Sequence, residues 1–150
     1  MGERGEGWVV LQFILLLVIA LAPVDGQLTE MAILRPLGYV LMVIGGLIGL
    51  FSARNLGRNL TALPKPVEQG KLVQDGLYGL VRHPIYLGLL LAALGWALWR
   101  RSAIGIALSL LLFVFFDAKA RREERWLTEK YPDDYPDYQK RVKKLIPWIY

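Results

Sequence analysis

Four apolar blocks constrain this chain more than any other feature. They are WVVLQFILLLVIALAPV (8–24), LGYVLMVIGGLIGLFSA (37–53), IYLGLLLAALGWALW (85–99) and AIGIALSLLLFVFF (103–116). None alternates with a period of two, so strands are disfavoured. A bilayer-spanning helix needs about 20 apolar residues, with a range of roughly 17–25. The first two blocks qualify. The third would reach only about 22 Å at ~1.5 Å per residue. The third and fourth must therefore borrow flanking residues, thin the bilayer locally, or form a shallow hairpin. The chain is 55% hydrophobic, above the about 45–50% usual for soluble domains. The expectation is a single membrane-embedded domain over 1–150, an all-α integral membrane protein. Its four transmembrane helices lie near 8–24, 37–53, 84–99 and 103–118. A secretory signal is the alternative for the first block, since Arg4 precedes it and Ala20-Leu21-Ala22 resembles a cleavage site. Pro23 directly after that site, and the length of the block, argue against cleavage.

Charge sets the expected orientation. With four spans, both termini and the loop over 54–82 share one side. Of the 18 Lys and Arg residues, only Arg35, Arg100 and Arg101 fall on the other. The positive-inside rule then puts both termini in the cytoplasm of an inner or plasma membrane. A net charge of +5 could suggest nucleic acid. Flanking apolar blocks as it does, it fits anionic membrane lipids better, and no nucleic-acid partner is expected. The chain has no cysteine and one histidine. That removes disulfides, thiol nucleophiles and thiolate metal sites, and no metal is expected. Gly45 and Gly49 have a GxxxG spacing, which suits either packing inside the bundle or a homodimer.

Two polar segments remain, 53–84 and 117–150. The first runs into GLYGLVRHPIYLG (76–88), which holds the single histidine. Pro84 suits the first turn of a helix, so the third helix should start at 83 or 84. A helix start has free N–H groups and attracts anions. Arg82 beside it can grip a carboxylate with two hydrogen bonds, or simply anchor the helix to lipid phosphate. The second segment leaves the membrane as a helix, on which Lys119 and Glu123 are four apart and share a face. Glu123 and Glu124 point about 100° apart, so only one of them is expected to face a site. LIPWIY (145–150) is apolar and aromatic and should dock back on protein or lipid.

LGRNLTALPKP (56–66), LVQDGLYGLVRHPIYLG (72–88), EERWL (123–127) and YPDDYPDYQKRVKKLIP (131–147) together resemble the isoprenylcysteine carboxyl methyltransferase family. These are integral-membrane enzymes that use S-adenosylmethionine. Phospholipid N-methyltransferases and some bacterial thiol S-methyltransferases are similar. The resemblance spans roughly 36–148. It implies a cofactor site on Gly70, Lys71, Leu72, Val73, Tyr78, His83, Pro84, Ile85 and Tyr86, formed by the 54–84 loop and the C-terminal segment. It implies catalytic roles for Arg82, Lys119 and Glu123, the last two on the acceptor side. The family pattern has an arginine where this chain has Lys119, and a lysine keeps the charge without the planar fork. The implied activity is methyl transfer to a lipophilic or membrane-associated small acceptor, a carboxylate, amine or thiol. A non-catalytic membrane scaffold of the same fold is the alternative. A membrane reductase is the third reading, since sterol reductases share a related C-terminal half.

Overall fold

The structure is a computed structural model that describes residues 5–25, 28–61, 63, 65 and 70–150. Five α-helices make up the described residues: α1 (Glu6–Leu21), α2 (Leu34–Leu56), α3 (Pro84–Trp99), α4 (Ala103–Lys130) and α5 (Asp134–Arg141). Short 3₁₀ turns at Leu28–Glu30, Gly57–Asn59 and Gly76–Gly79 punctuate the loops. Pairing between strands is limited to one isolated parallel bridge, Val81 with Lys143, among the described residues.

Local sequence explains the helix limits. α1 stops before Pro23, because the residue preceding a proline is pushed out of the helical region; Ala22 has ψ 136°. His83 caps α3 and Pro84 occupies its first position. Ser102 caps α4 through its side chain, which accepts from the Gly105 N–H at 3.0 Å. The fourth block borrows flanking residues. It continues without a break into the polar segment, giving a helix of 28 residues, about 42 Å long at ~1.5 Å per residue. α2 and α4 are long and apolar enough to cross a membrane. α1 and α3 have 16 residues each, so the third apolar element stays short, as its sequence predicts.

α2 and α3 form an antiparallel pair seamed by glycines. Gly38 and Gly45 on α2 are seven residues apart, as are Gly88 and Gly95 on α3. A Cβ on Gly45 would lie 2.5 Å from the Gly88 carbonyl oxygen, and one on Gly38 would lie 2.4 Å from that of Gly95. The face expected to serve either packing or a homodimer is therefore covered by α3 at Gly45, and the dimer reading through that face is corrected. A seven-residue repeat of small residues lets two backbones stay close over two turns.

α1 packs on α4 and α3. Ile19, Ala93, Leu112, Phe115 and Phe116 form the bundle core, with Trp8, Leu15, Leu16 and Leu89 against it. The outside is as apolar as the inside: Phe13, Leu17 and Leu21 on α1, Tyr39, Val43 and Leu50 on α2, and Leu110 and Val114 on α4 are exposed. An exterior of this kind is at home in hydrocarbon rather than water. The C-terminal segment folds back beneath the bundle. The Arg82 and His83 N–H groups donate to the Lys143 and Lys144 carbonyls at 2.8 and 3.0 Å. Lys144 and the Tyr150 hydroxyl both donate to Asp117 Oδ1 at 2.8 Å. The expected docking of the last residues on protein is met by Tyr150, while Trp148 and Ile149 are exposed.

Candidate functional site

His83 stands where three elements meet. It caps α3, its backbone is tied to the C-terminal segment, and its ring lies between two carboxylates of α4. Nε2 is 3.1 Å from Glu124 Oε1, and Nδ1 is 3.7 Å from Glu123 Oε2. Of the adjacent glutamates only Glu123 lines the pockets described below, as their differing directions along the helix predict, while Glu124 turns to Arg82. The His83 ring reaches both because it offers a nitrogen on each edge and sits between them.

Below His83 the rings form a stack. His83 and Tyr86 lie 5.3 Å apart with planes 3° from parallel, and Tyr86 and Phe116 follow at 4.7 Å and 5°. The Tyr86 hydroxyl donates to Glu123 Oε2 at 2.8 Å, so α3 fixes the carboxylate of α4. Lys119 lies over the other side of this cluster, 5.1 Å from the Tyr86 ring centroid. It is buried, and its ammonium donates to Gln12 Oε1 at 2.6 Å. Gln12 is the one polar side chain in the first apolar block, and that oddity was the available signal for it.

Arg82 has a different job from gripping a ligand. Its Nε donates to Glu124 Oε1 at 2.8 Å, and Nη2 pairs with the same oxygen at 2.8 Å. Nη1 donates to the Gln139 and Val142 carbonyls at 3.2 and 2.5 Å. Gln139 completes the arrangement by donating to Glu124 Oε2 at 3.3 Å. The fork that could have held a foreign carboxylate is committed to Glu124 and the C-terminal segment. The partnership of Glu124 with Gln139 was not drawn from the sequence, because fifteen positions separate them and no local pattern links them.

Two pockets share the wall around His83. The first is narrow, about 90 Å³, and is lined by Gly70, Lys71, Leu72, Val73, Tyr78, Arg82, His83 and Glu123, with Leu127, Tyr131, Tyr135 and Tyr138. The second is wider, about 410 Å³, and is lined by Gln12, Leu60, Ile85, Tyr86, Leu89 and Lys119. Leu56, Thr61, Tyr78, His83 and Glu123 border both. Ile85 and Tyr86, expected in the cofactor site, border only the second pocket. Pro84 borders neither and shapes the helix start instead.

Residues 70–73 form a strap over the first pocket. Asn59 holds it through both backbone groups of one residue: Nδ2 donates to the Lys71 carbonyl at 2.9 Å, and the Lys71 N–H donates to Oδ1 at 3.2 Å. The Tyr131 hydroxyl donates to the Gly70 carbonyl at 2.5 Å. The floor is aromatic. The Tyr138 hydroxyl donates to the Tyr78 carbonyl at 2.6 Å. Burial pushes the hydroxyls of Tyr78, Tyr135 and Tyr138 above the ordinary tyrosine range, so each stays protonated as a donor. Among the described residues no cluster of His, Asp and Glu has the makings of a metal site.

Comparison with known proteins gives a consistent neighbourhood. A probable protein-S-isoprenylcysteine O-methyltransferase of Oryza sativa subsp. indica is 29% identical over 126 residues, covering 82% of this chain and 66% of the relative. A steroid 5-alpha-reductase of Gossypium hirsutum is 33% identical over 104 residues, covering 69% of this chain and 39% of the relative. Among solved structures, a eukaryotic intramembrane Ras methyltransferase, isoprenylcysteine carboxyl methyltransferase, matches with a TM-score of 0.75 at 23% identity. That match covers 95% of this chain and 51% of the other, so the fold is shared while this chain spans only part of its relatives' length. The sequence pattern described as phospholipid methyltransferase matches residues 33–134. Those residues run from α2 to the start of α5, carrying the glycine-seamed pair, the His83 cap and both glutamates. This chain belongs to the phospholipid methyltransferase family.

Proposed function

We propose that this protein is an integral membrane methyltransferase that uses S-adenosylmethionine to methylate a lipophilic acceptor. The observation that carries the reading is the pair of pockets sharing Tyr78, His83 and Glu123. A group-transfer enzyme must hold two ligands with their reacting atoms side by side, and orientation supplies much of the acceleration. The first pocket suits the donor. Leu72, Val73 and Leu127 offer apolar walls to a nucleobase, and Glu123 with the tyrosines faces the junction, where a sulfonium would meet negative charge and ring faces. When bound, S-adenosylmethionine supplies a methyl group on a positively charged sulfur whose departure needs no metal.

The second pocket suits the acceptor. Its walls come from α1 to α4, whose outer faces are apolar, and its polar end is Lys119 held by Gln12. Glu123, fixed by Tyr86, orients the acceptor atom or takes its proton where that atom is an amine or thiol nitrogen or sulfur. The basic asymmetry supports a cytoplasmic position for this site and both termini. Alkaline phosphatase fused after Tyr150 should be inactive, and an active fusion would reverse that orientation.

Binding of tritiated S-adenosylmethionine to the purified protein tests the donor, and membrane lipid extract incubated with it and the protein identifies the labelled acceptor. Absence of binding would remove the methyltransferase reading. The steroid reductase similarity keeps one other chemistry in view. Oxidation of NADPH on adding a lipophilic enone would favour it.

A further inference from the structure

We infer that Tyr135 is a ligand contact of the first pocket, its hydroxyl donating a hydrogen bond to the donor molecule. The inference rests on the methyltransferase reading and adds a residue to its donor site.

Tyr135 is 1% exposed and lies in the wall of that pocket. Its ring is well held: it meets Tyr138 edge-on at 5.8 Å and packs with Val142, Leu72, Leu127 and Tyr131. Its hydroxyl, by contrast, has no hydrogen-bond partner among the described residues. Buried side-chain polar atoms almost always find a partner, because stripping a hydroxyl of water without replacement is costly. Neighbouring tyrosines obey the rule. Tyr138 donates to the Tyr78 carbonyl, Tyr131 to the Gly70 carbonyl and Tyr86 to Glu123. Among these four, only Tyr135 leaves its donor unmatched. A phenylalanine would fill the same space without the cost, so the hydroxyl is best explained by a partner that arrives from the pocket. Arg82 strengthens the argument, since its guanidinium is committed to Glu124 and the C-terminal carbonyls. The pocket therefore needs another donor for the oxygen-rich parts of its ligand. Tyr135 follows the residues matched to the family, in the segment that folds back over the site.

The test is Tyr135→Phe in the full chain purified in detergent, with S-adenosylhomocysteine as the calorimetric probe so that no turnover intervenes. Wild type should bind. The variant should lose about 3- to 30-fold in affinity, the scale of one buried hydrogen bond. Without ligand its unfolding temperature should match or exceed wild type, because an unmatched donor has been removed. Tyr138→Phe is the contrast, and it should unfold at lower temperature. A second probe, 5′-methylthioadenosine, locates the contact. Loss with both probes puts it at the nucleoside end, and loss with S-adenosylhomocysteine alone puts it at the amino-acid end. Unchanged affinity for both probes would overturn the inference while leaving the methyltransferase reading intact. So would a lowered unfolding temperature, which would mean that the hydroxyl has an internal partner. Failure of wild type to bind either probe would bring down the donor site itself, and this inference with it.

Discussion

At the scale of single residues, Glu123 and Glu124 divide two tasks that their adjacency conceals. Glu123 borders both pockets and is 26% exposed, whereas Glu124 is 9% exposed and paired with Arg82. Replacing Glu123 by Gln keeps its shape and its hydrogen bond from Tyr86 but removes charge and basicity. Affinity for S-adenosylhomocysteine, which has no sulfonium charge, should hold in that variant, while turnover falls by about 10²–10⁴-fold, the usual range for positioned acid–base groups; equilibrium binding and initial rates measure the two separately. Arg82→Ala should act through folding. It leaves Glu124 as a buried carboxylate without its guanidinium, which typically costs about 3–5 kcal/mol. Chemical unfolding should report that loss, and limited proteolysis should show residues 134–150 released first. The motif around His83 was legible because a histidine and a proline opening an apolar helix are conspicuous. What Arg82 binds was not legible, since Gln139 and Val142 lie about sixty positions away and no local pattern links them.

At the scale of elements, the glycine seam between α2 and α3 explains how a short α3 is held. Gly45 and Gly46 are adjacent, and only one of them meets the partner helix. A Cβ on Gly46 would meet nothing within 4 Å, while one on Gly45 would strike the Gly88 carbonyl. Gly46→Ala should therefore be neutral or stabilise by up to about 1 kcal/mol, since alanine is the better helix former. Gly45→Ala should destabilise by about 1–3 kcal/mol through overpacking. Thermal unfolding of the two variants in the same detergent makes the comparison. The four apolar elements were legible from block length and the missing two-residue alternation. The pairing of α2 with α3 was not drawn from the sequence, although the matching seven-residue glycine spacings carry it. GxxxG drew attention to Gly49, whose own Cβ direction is open, and away from Gly38.

At the scale of the whole molecule, an apolar bundle carries a polar site at one end, and the site is closed by sequence that comes after the bundle. Deleting residues 134–150 removes Tyr135, Tyr138 and the carbonyls that hold Arg82. The shortened protein should still resist carbonate extraction from membranes, because α1 to α4 keep their packing faces. It should not retain S-adenosylhomocysteine on a filter. Sequence showed which end of the bundle is basic, and the family resemblance implied that the C-terminal segment helps form the site, but not which of its side chains line the pocket, because Tyr131, Tyr135 and Tyr138 carry no local mark of which turns inward.

The bridge between Val81 and Lys143 also sets a schedule for biosynthesis. Helices enter the bilayer in the order in which they leave the ribosome, and α1 to α4 are all made before Lys143 exists. The four helices of the bundle are thus complete well before the first pocket has all its walls. The first pocket is completed only when residues 135–145 reach back to Arg82 and His83. A chain that stops before Tyr135 has the four helices of the bundle and a first pocket without the walls that Tyr135 and Tyr138 provide.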